Sequence, residues 1–188
     1  FTSFHGAWAR EMRRWDVPVA AGKYVNASYT GTSSSRANPF VMLSGRETTE
    51  DTGDCYGFNL VYSGNHYEVV EVNSYGKTRF VSGINPQNFD WKLDCGESFQ
   101  TPEAVVVFSD KGLNGMSQTF HKLYQKRLAR GYWRDRPRPI LNNNWEATYF
   151  DFTEDRLVEI AAKAKECGVE LFVLDDGWFG ARSNDYAG

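Results

Sequence analysis

The run Leu171-Phe172-Val173-Leu174 constrains the fold more than any other stretch, because it is apolar without alternation and is reached through an amphipathic helix. A strand of that kind is covered on both faces, as in a parallel sheet. The spacing predicts the helix over about Glu154 to Glu166, with Leu157, Ile160, Ala161 and Ala164 on one face and Glu159 and Lys163 as an i,i+4 pair on another. Asp151 or Thr153 is placed to cap its start, and Gly168 supplies the stop. With a short strand over Ile140 to Trp145 before it, and a strand from Val169 to Leu174 after it, the segment reads as a βαβ unit.

In parallel sheets ligands bind beyond the carboxyl ends of the strands. Trp145 stands at one of those ends and Asp175-Asp176-Gly177-Trp178 at the other, so the two strands present them on one rim. Asp176-Gly177 also reads as a hairpin turn with Asp175 as a solvated neighbour, but the helix before the strand argues for a parallel connection. Successive residues leaving a strand point in different directions. Asp175 and Asp176 therefore suit two acceptors gripping two hydroxyls of one sugar better than a matched acid/base pair. Trp145 and Trp178 could stack on the apolar face of such a ring, with core packing at least an equal reading for Trp178. Asn142, Asn143 and Asn144 either line the rim or close the strand end by bonding to backbone, the structural role being favoured for at least two of them. Cys167 reads as a small buried hydrophobe.

The grammar before this unit is different. Up to about Phe108 the chain reads as short strands, among them Tyr56–Tyr62, Tyr67–Val72 and Ala104–Phe108, separated by turn clusters such as Ser63-Gly64-Asn65 and Asn73-Ser74-Tyr75-Gly76. Regular spacing of this kind predicts an antiparallel β-sandwich. Leu113, Met116, Phe120, Leu123, Tyr124 and Leu128 then recur at helical spacing, with cations crowding the later turns and Gly131 placed to end the helix. The prolines of Tyr132 to Pro139 disfavour helix and central strand, and mark the boundary between a first domain over residues 1–130 and a second over 131–188.

Composition narrows the partners. The net charge of −3, from 21 basic and 24 acidic residues without a long like-charge block, argues against nucleic acid. No apolar run approaches the roughly 20 residues that span a bilayer, so no membrane partner is expected. The three cysteines and three histidines are scattered, which predicts neither a disulfide framework nor a metal centre, and no cofactor is expected. A cytoplasmic location fits this usage, and the sequon Asn26-Ala27-Ser28 is a weak signal. The chain starts without Met and stops eight residues after Gly180, so more of the protein is expected on both sides.

The segment from Ile140 through Phe152 and the Leu171 to Gly180 segment closely resemble glycoside hydrolase family 36, the bacterial α-galactosidases. The resemblance continues upstream through Gly6-Ala7-Trp8-Ala9-Arg10-Glu11, Asn38-Pro39-Phe40, Tyr56-Gly57-Phe58, Leu60 to Asn65 and Phe99 to Glu103, and so covers essentially the whole chain. It implies the later part of an N-terminal β-sandwich with its exit helix, followed by the first β-α-β unit of a catalytic (β/α)8 TIM barrel.

By the same resemblance the reaction is retaining hydrolysis of terminal α-galactosyl residues, with two carboxyl groups about 5–5.5 Å apart. The family carries these on later barrel strands, so no residue here is assigned as nucleophile or acid, and the isolated chain is expected to be inactive. Asp175 and Asp176 match the paired aspartates that hold the galactose hydroxyls, and Trp145 matches a tryptophan of that pocket. The implied partner is a galactoside such as melibiose or raffinose, bound by a full-length homo-oligomer. A galactosyl transferase, an α-N-acetylgalactosaminidase and a non-catalytic carbohydrate-binding β module are the competing readings.

Overall fold

The computed structural model describes residues 1–33, 35–184 and 186, arranged as two compact units, Phe1–Leu128 and Ala129–Gly188. The first holds β1 (Thr2–His5), β2 (Arg13–Asp16), β3 (Gly22–Ala27), β4 (Phe40–Ser44), β5 (Cys55–Val61), β6 (His66–Val72), β7 (Thr78–Ile84) and β8 (Glu103–Ser109). They form two antiparallel sheets, ordered β2-β1-β4-β5-β8 and β3-β6-β7. Phe58 of β5 stacks on Phe80 of β7 with ring centroids 3.8 Å apart, which brings the sheets into contact.

The turn clusters do different jobs. Asn73 Oδ1 accepts the backbone N–H groups of Tyr75 and Lys77, both at 3.0 Å, and Gly76 takes a positive φ, so this cluster closes the β6-β7 hairpin. Ser63-Gly64-Asn65 instead carries the chain from one sheet to the other, because β5 and β6 do not pair.

Helix α1 (Gly112–Leu123) packs its predicted stripe onto the five-stranded sheet, where Met116 and Phe120 are buried with Met42, Cys55 and Val107. A π-helical turn, Tyr124–Leu128, extends it and ends short of Gly131. Tyr124 is tied by its hydroxyl to Asn59 of β5 at 3.0 Å, whereas Leu128 is exposed.

The helix lies so close to β5 that Gly57 has no room for a side chain. A Cβ there would stand 2.6 Å from both Met116 Sδ and Phe120 Cε2. Gly57→Val in the full-length protein is expected to cost roughly 1–3 kcal/mol by overpacking, read as a lower thermal unfolding midpoint. Gly83→Val on β7, where a Cβ meets nothing within 4 Å, should change it little. Equal midpoints for the two variants would contradict the close packing of α1.

A polar cluster is buried between β3 and β6. His66 Nδ1 meets Glu68 Oε2 at 2.7 Å and its Nε2 meets the Ala37 carbonyl at 2.7 Å. Asn26 Nδ2 donates to Glu68 Oε2 at 3.0 Å and to the Asn38 carbonyl at 2.6 Å. Since Asn26 is 1% exposed, its sequon is closed to glycosylation in the folded unit.

The second unit contains β9 (Leu141–Asn143), a short helix α2 (Trp145–Thr148), α3 (Glu154–Glu166) and β10 (Leu171–Val173). β9 and β10 pair in parallel, with Leu171 opposite Leu141 and Val173 opposite Asn143. Of the two candidate caps it is Thr153 that serves, accepting the Arg156 N–H, and Glu159 and Lys163 form their ion pair at 2.7 Å. The face carrying Leu157, Ile160, Ala161 and Ala164 is half-buried.

Two expectations change here. With two strands and one long helix among the described residues of this unit, Leu171 and Leu174 are exposed rather than covered on both faces. Cys167, the C-cap residue of α3, is exposed too, because the chain has already left the packed face of the helix.

Candidate functional site

The carboxyl ends of β9 and β10 are joined by side chains that the sequence places 31 or 32 residues apart. Asn144, fully buried, accepts the Asp175 backbone N–H on Oδ1 at 2.8 Å and donates from Nδ2 to Thr148 Oγ1 at 2.8 Å. This asparagine therefore pins the residue leaving β10 to the first turn of α2. Asn143 works on the side chain instead, with its Nδ2 donating to Asp175 Oδ2 while its Oδ1 accepts the Trp145 N–H at 2.6 Å.

The two carboxylates are held by different chemistry. Asp175 is surrounded by neutral donors, Asn143 on Oδ2 and the Asp176 N–H on Oδ1 at 2.8 Å. Asp176 accepts the Gly177 N–H at 2.8 Å and is gripped at both oxygens by Arg182, Nε to Oδ1 at 2.5 Å and Nη2 to Oδ2 at 2.8 Å. The Arg182 hydrogen bonds hold the Asp176 carboxyl below the ordinary carboxylate range; burial opposes this, and the Gly177 N–H and the Arg182 charge reinforce it. Asp176 is thus ionised at neutral pH.

Gly177 sets the turn between them. Its φ of +88° is left-handed, and a Cβ would stand 2.9 Å from Phe150 Cδ1. The chain then passes Trp178 and Phe179 and returns so that the Arg182 guanidinium lies 5.6 Å from the Phe179 ring centroid. Val173, Leu174, Asp175, Asp176, Trp178, Phe179 and Arg182 line an open cleft of about 560 Å³.

Asp175 and Asp176 therefore come together in one cleft, as the strand-end argument expects. Trp178 lines the same cleft and is 64% exposed among the described residues. Trp145 is close in connectivity but not among the cleft-lining residues. Its ring is half-buried and meets Tyr149 and Phe150 edge-on, at 5.4 and 4.9 Å between centroids. Asn143 and Asn144 carry the structural role, while Arg182 was not legible as a partner from its spacing.

Chemically, the cleft offers two fixed acceptors and an aromatic face, a combination suited to adjacent hydroxyls on a ring with one apolar side. Such a cleft lies at the carboxyl end of the β9-α3-β10 unit, downstream in sequence of the antiparallel sheets.

The chain belongs to glycosyl hydrolase family 36. Residues 1–94 match the glycosyl hydrolase family 36 N-terminal domain, and residues 98–188 match the Melibiase family. Alpha-galactosidase AgaA of Geobacillus stearothermophilus is 56% identical over 180 residues, which is 96% of this chain and 25% of that protein. Alpha-galactosidase C of Emericella nidulans is 44% identical over 189 residues, 99% of this chain and 25% of that protein. The crystal structure of an AgaA variant in complex with raffinose superposes with a TM-score of 0.95 at 54% identity, covering 98% of this chain and 26% of that one. The chain spans about a quarter of the length of these relatives.

Proposed function

We propose that this chain is part of a retaining α-galactosidase that releases terminal α-galactosyl residues from oligosaccharides such as raffinose and melibiose. The observation that carries the reading is the likeness, at 54% identity and a TM-score of 0.95, to a family 36 α-galactosidase crystallised with raffinose. Residues 1–130 are read as part of the N-terminal β-sandwich with its exit helix, and residues 131–188 as the opening β-α-β unit of a (β/α)8 barrel. Parallel pairing of β9 with β10 through α3 supports the barrel reading.

Asp175 and Asp176 are assigned to the galactose hydroxyls, and Trp145, outside the lining of the cleft seen here, to the galactose pocket of the full-length protein, with its ring braced by Tyr149 and Phe150. The nucleophile and the acid/base lie beyond these residues. The full-length protein is read as a cytoplasmic homo-oligomer; among the described residues no helix is long and apolar enough to cross a membrane.

The test is product analysis. The full-length protein should release galactose from raffinose and from an aryl α-galactoside, with water preferred over added sucrose as acceptor, and the isolated 188-residue chain should release none. Galactose transfer to sucrose as the main outcome would replace hydrolase by transferase. Turnover by the isolated chain would place the catalytic carboxyls inside it and overturn the assignment.

A further inference from the structure

We infer that Arg182 is a positioning residue for sugar recognition, acting on the substrate only through its two-point grip on Asp176. The inference rests on the reading of Asp176 as a galactose contact and deepens it. Three observations carry it. Arg182 holds both oxygens of Asp176, at 2.5 and 2.8 Å, so the carboxylate plane is fixed. Both side chains are largely withdrawn from solvent, at 15% and 25% exposure, so the pair is not a freely solvated surface contact. Finally, the grip is unequal across the site, since the donors to Asp175 among the described residues, the Asn143 amide and the Asp176 N–H, are neutral.

The consequence is a division of labour between adjacent carboxylates. Asp176 Oδ1 uses its two lone pairs on Arg182 Nε and the Gly177 N–H, whereas Oδ2, bound by Arg182 Nη2, keeps capacity to accept a sugar hydroxyl, with its direction set and its charge balanced. Asp175 takes its hydrogen bonds from the Asn143 amide and the Asp176 N–H. Without Arg182 the Asp176 carboxylate would lose its cation and would be free to rotate about its side-chain torsions. Substrate affinity should suffer more than the bond-breaking step, because Arg182 lies on the binding side of the machinery.

A double-mutant cycle in the full-length protein tests this, with an aryl α-galactoside as substrate. Arg182→Met should raise KM by about tenfold to a hundredfold, the worth of the charge-assisted hydrogen bonds it removes, with a much smaller fall in kcat. Arg182→Lys, which keeps the charge and loses the fork, should fall between Arg182→Met and the parent. In an Asp176→Asn background, Arg182→Met should add less than about twofold, because its route to the sugar is already cut. Full, additive losses would mean that Arg182 touches substrate directly, and parental KM values in both Arg182 variants would mean that the grip plays no part; either overturns the inference. If Asp176→Asn itself leaves KM unchanged, it is the assignment of Asp176 to the sugar that fails.

Discussion

Asp175→Ala in the full-length protein is expected to lower kcat/KM for an aryl α-galactoside by roughly 10²–10⁴-fold. Two hydrogen bonds from sugar hydroxyls to an ionised acceptor are worth about 1.5–3 kcal/mol each, and each 1.4 kcal/mol is a factor of ten. The loss should not come from unfolding, because the parts that hold the loop would remain. Asn144 would still accept the backbone N–H of residue 175 and still bind Thr148. Asp175→Asn is expected to be nearly as damaging. Its amide would have to present oxygen to the Asn143 Nδ2 donor, leaving an NH₂ group where an acceptor oxygen had been. Steady-state kinetics with a thermal-midpoint control check this, and activity within twofold of the parent at an unchanged midpoint would remove Asp175 from the site.

The second large effect lies in the first unit. His66 has an oxygen at each ring nitrogen, from the Glu68 carboxyl group and the Ala37 carbonyl, an arrangement that favours the doubly protonated ring. Burial alone pushes the His66 pKa down, but the Glu68 hydrogen bond and charge, with the Ala37 carbonyl, outweigh it and leave the value raised above 6.5. Glu68→Leu strands a cation in a buried site and should destabilise the unit by about 3–5 kcal/mol. Changing both His66 and Glu68 to Leu should cost markedly less, since no charge is left unpaired.

The sign of the pH dependence follows from the raised value. Stabilisation by the His66 proton is complete below its unfolded pKa of about 6.5 and is lost as pH rises through the higher folded value. The unfolding midpoint of the parent should therefore fall as pH increases across that window, and the double variant should lack this component. Differential scanning calorimetry reads both effects. A double variant as unstable as Glu68→Leu, or a parent with no such slope, would contradict a charged pair.

Much of the architecture could be read before any contact was known. The stripe from Leu113 to Tyr124 packs as its spacing predicts, Thr153 caps α3, and Leu157, Ile160, Ala161 and Ala164 face inward. These features depend on residue order within one element, and periodicity is a property of order. The placement of Asp175 and Asp176 was legible for a related reason: a helix between two strands makes them parallel, and parallel strands end on the same side.

What the chain does with those carboxylates was not legible. Arg182 reaches Asp176 only because left-handed turns at Gly177 and Gly180 bring the loop back, and Asn143 and Asn144 reach Asp175 only once β9 and β10 are in register. His66, Glu68 and Asn26 are unremarkable in sequence, and β3-β6 pairing makes them a closed polar cluster. Trp145 and Trp178 look alike in order, yet one ring is braced by Tyr149 and Phe150 and the other opens on the cleft. The sequence by itself determined the apolar stripes of α1 and α3, the parallel connection and the family, because each rests on local pattern or direct similarity. Tertiary structure alone decided which donor holds which carboxylate, because hydrogen bonds depend on distances of a few ångströms between groups that chain order leaves far apart.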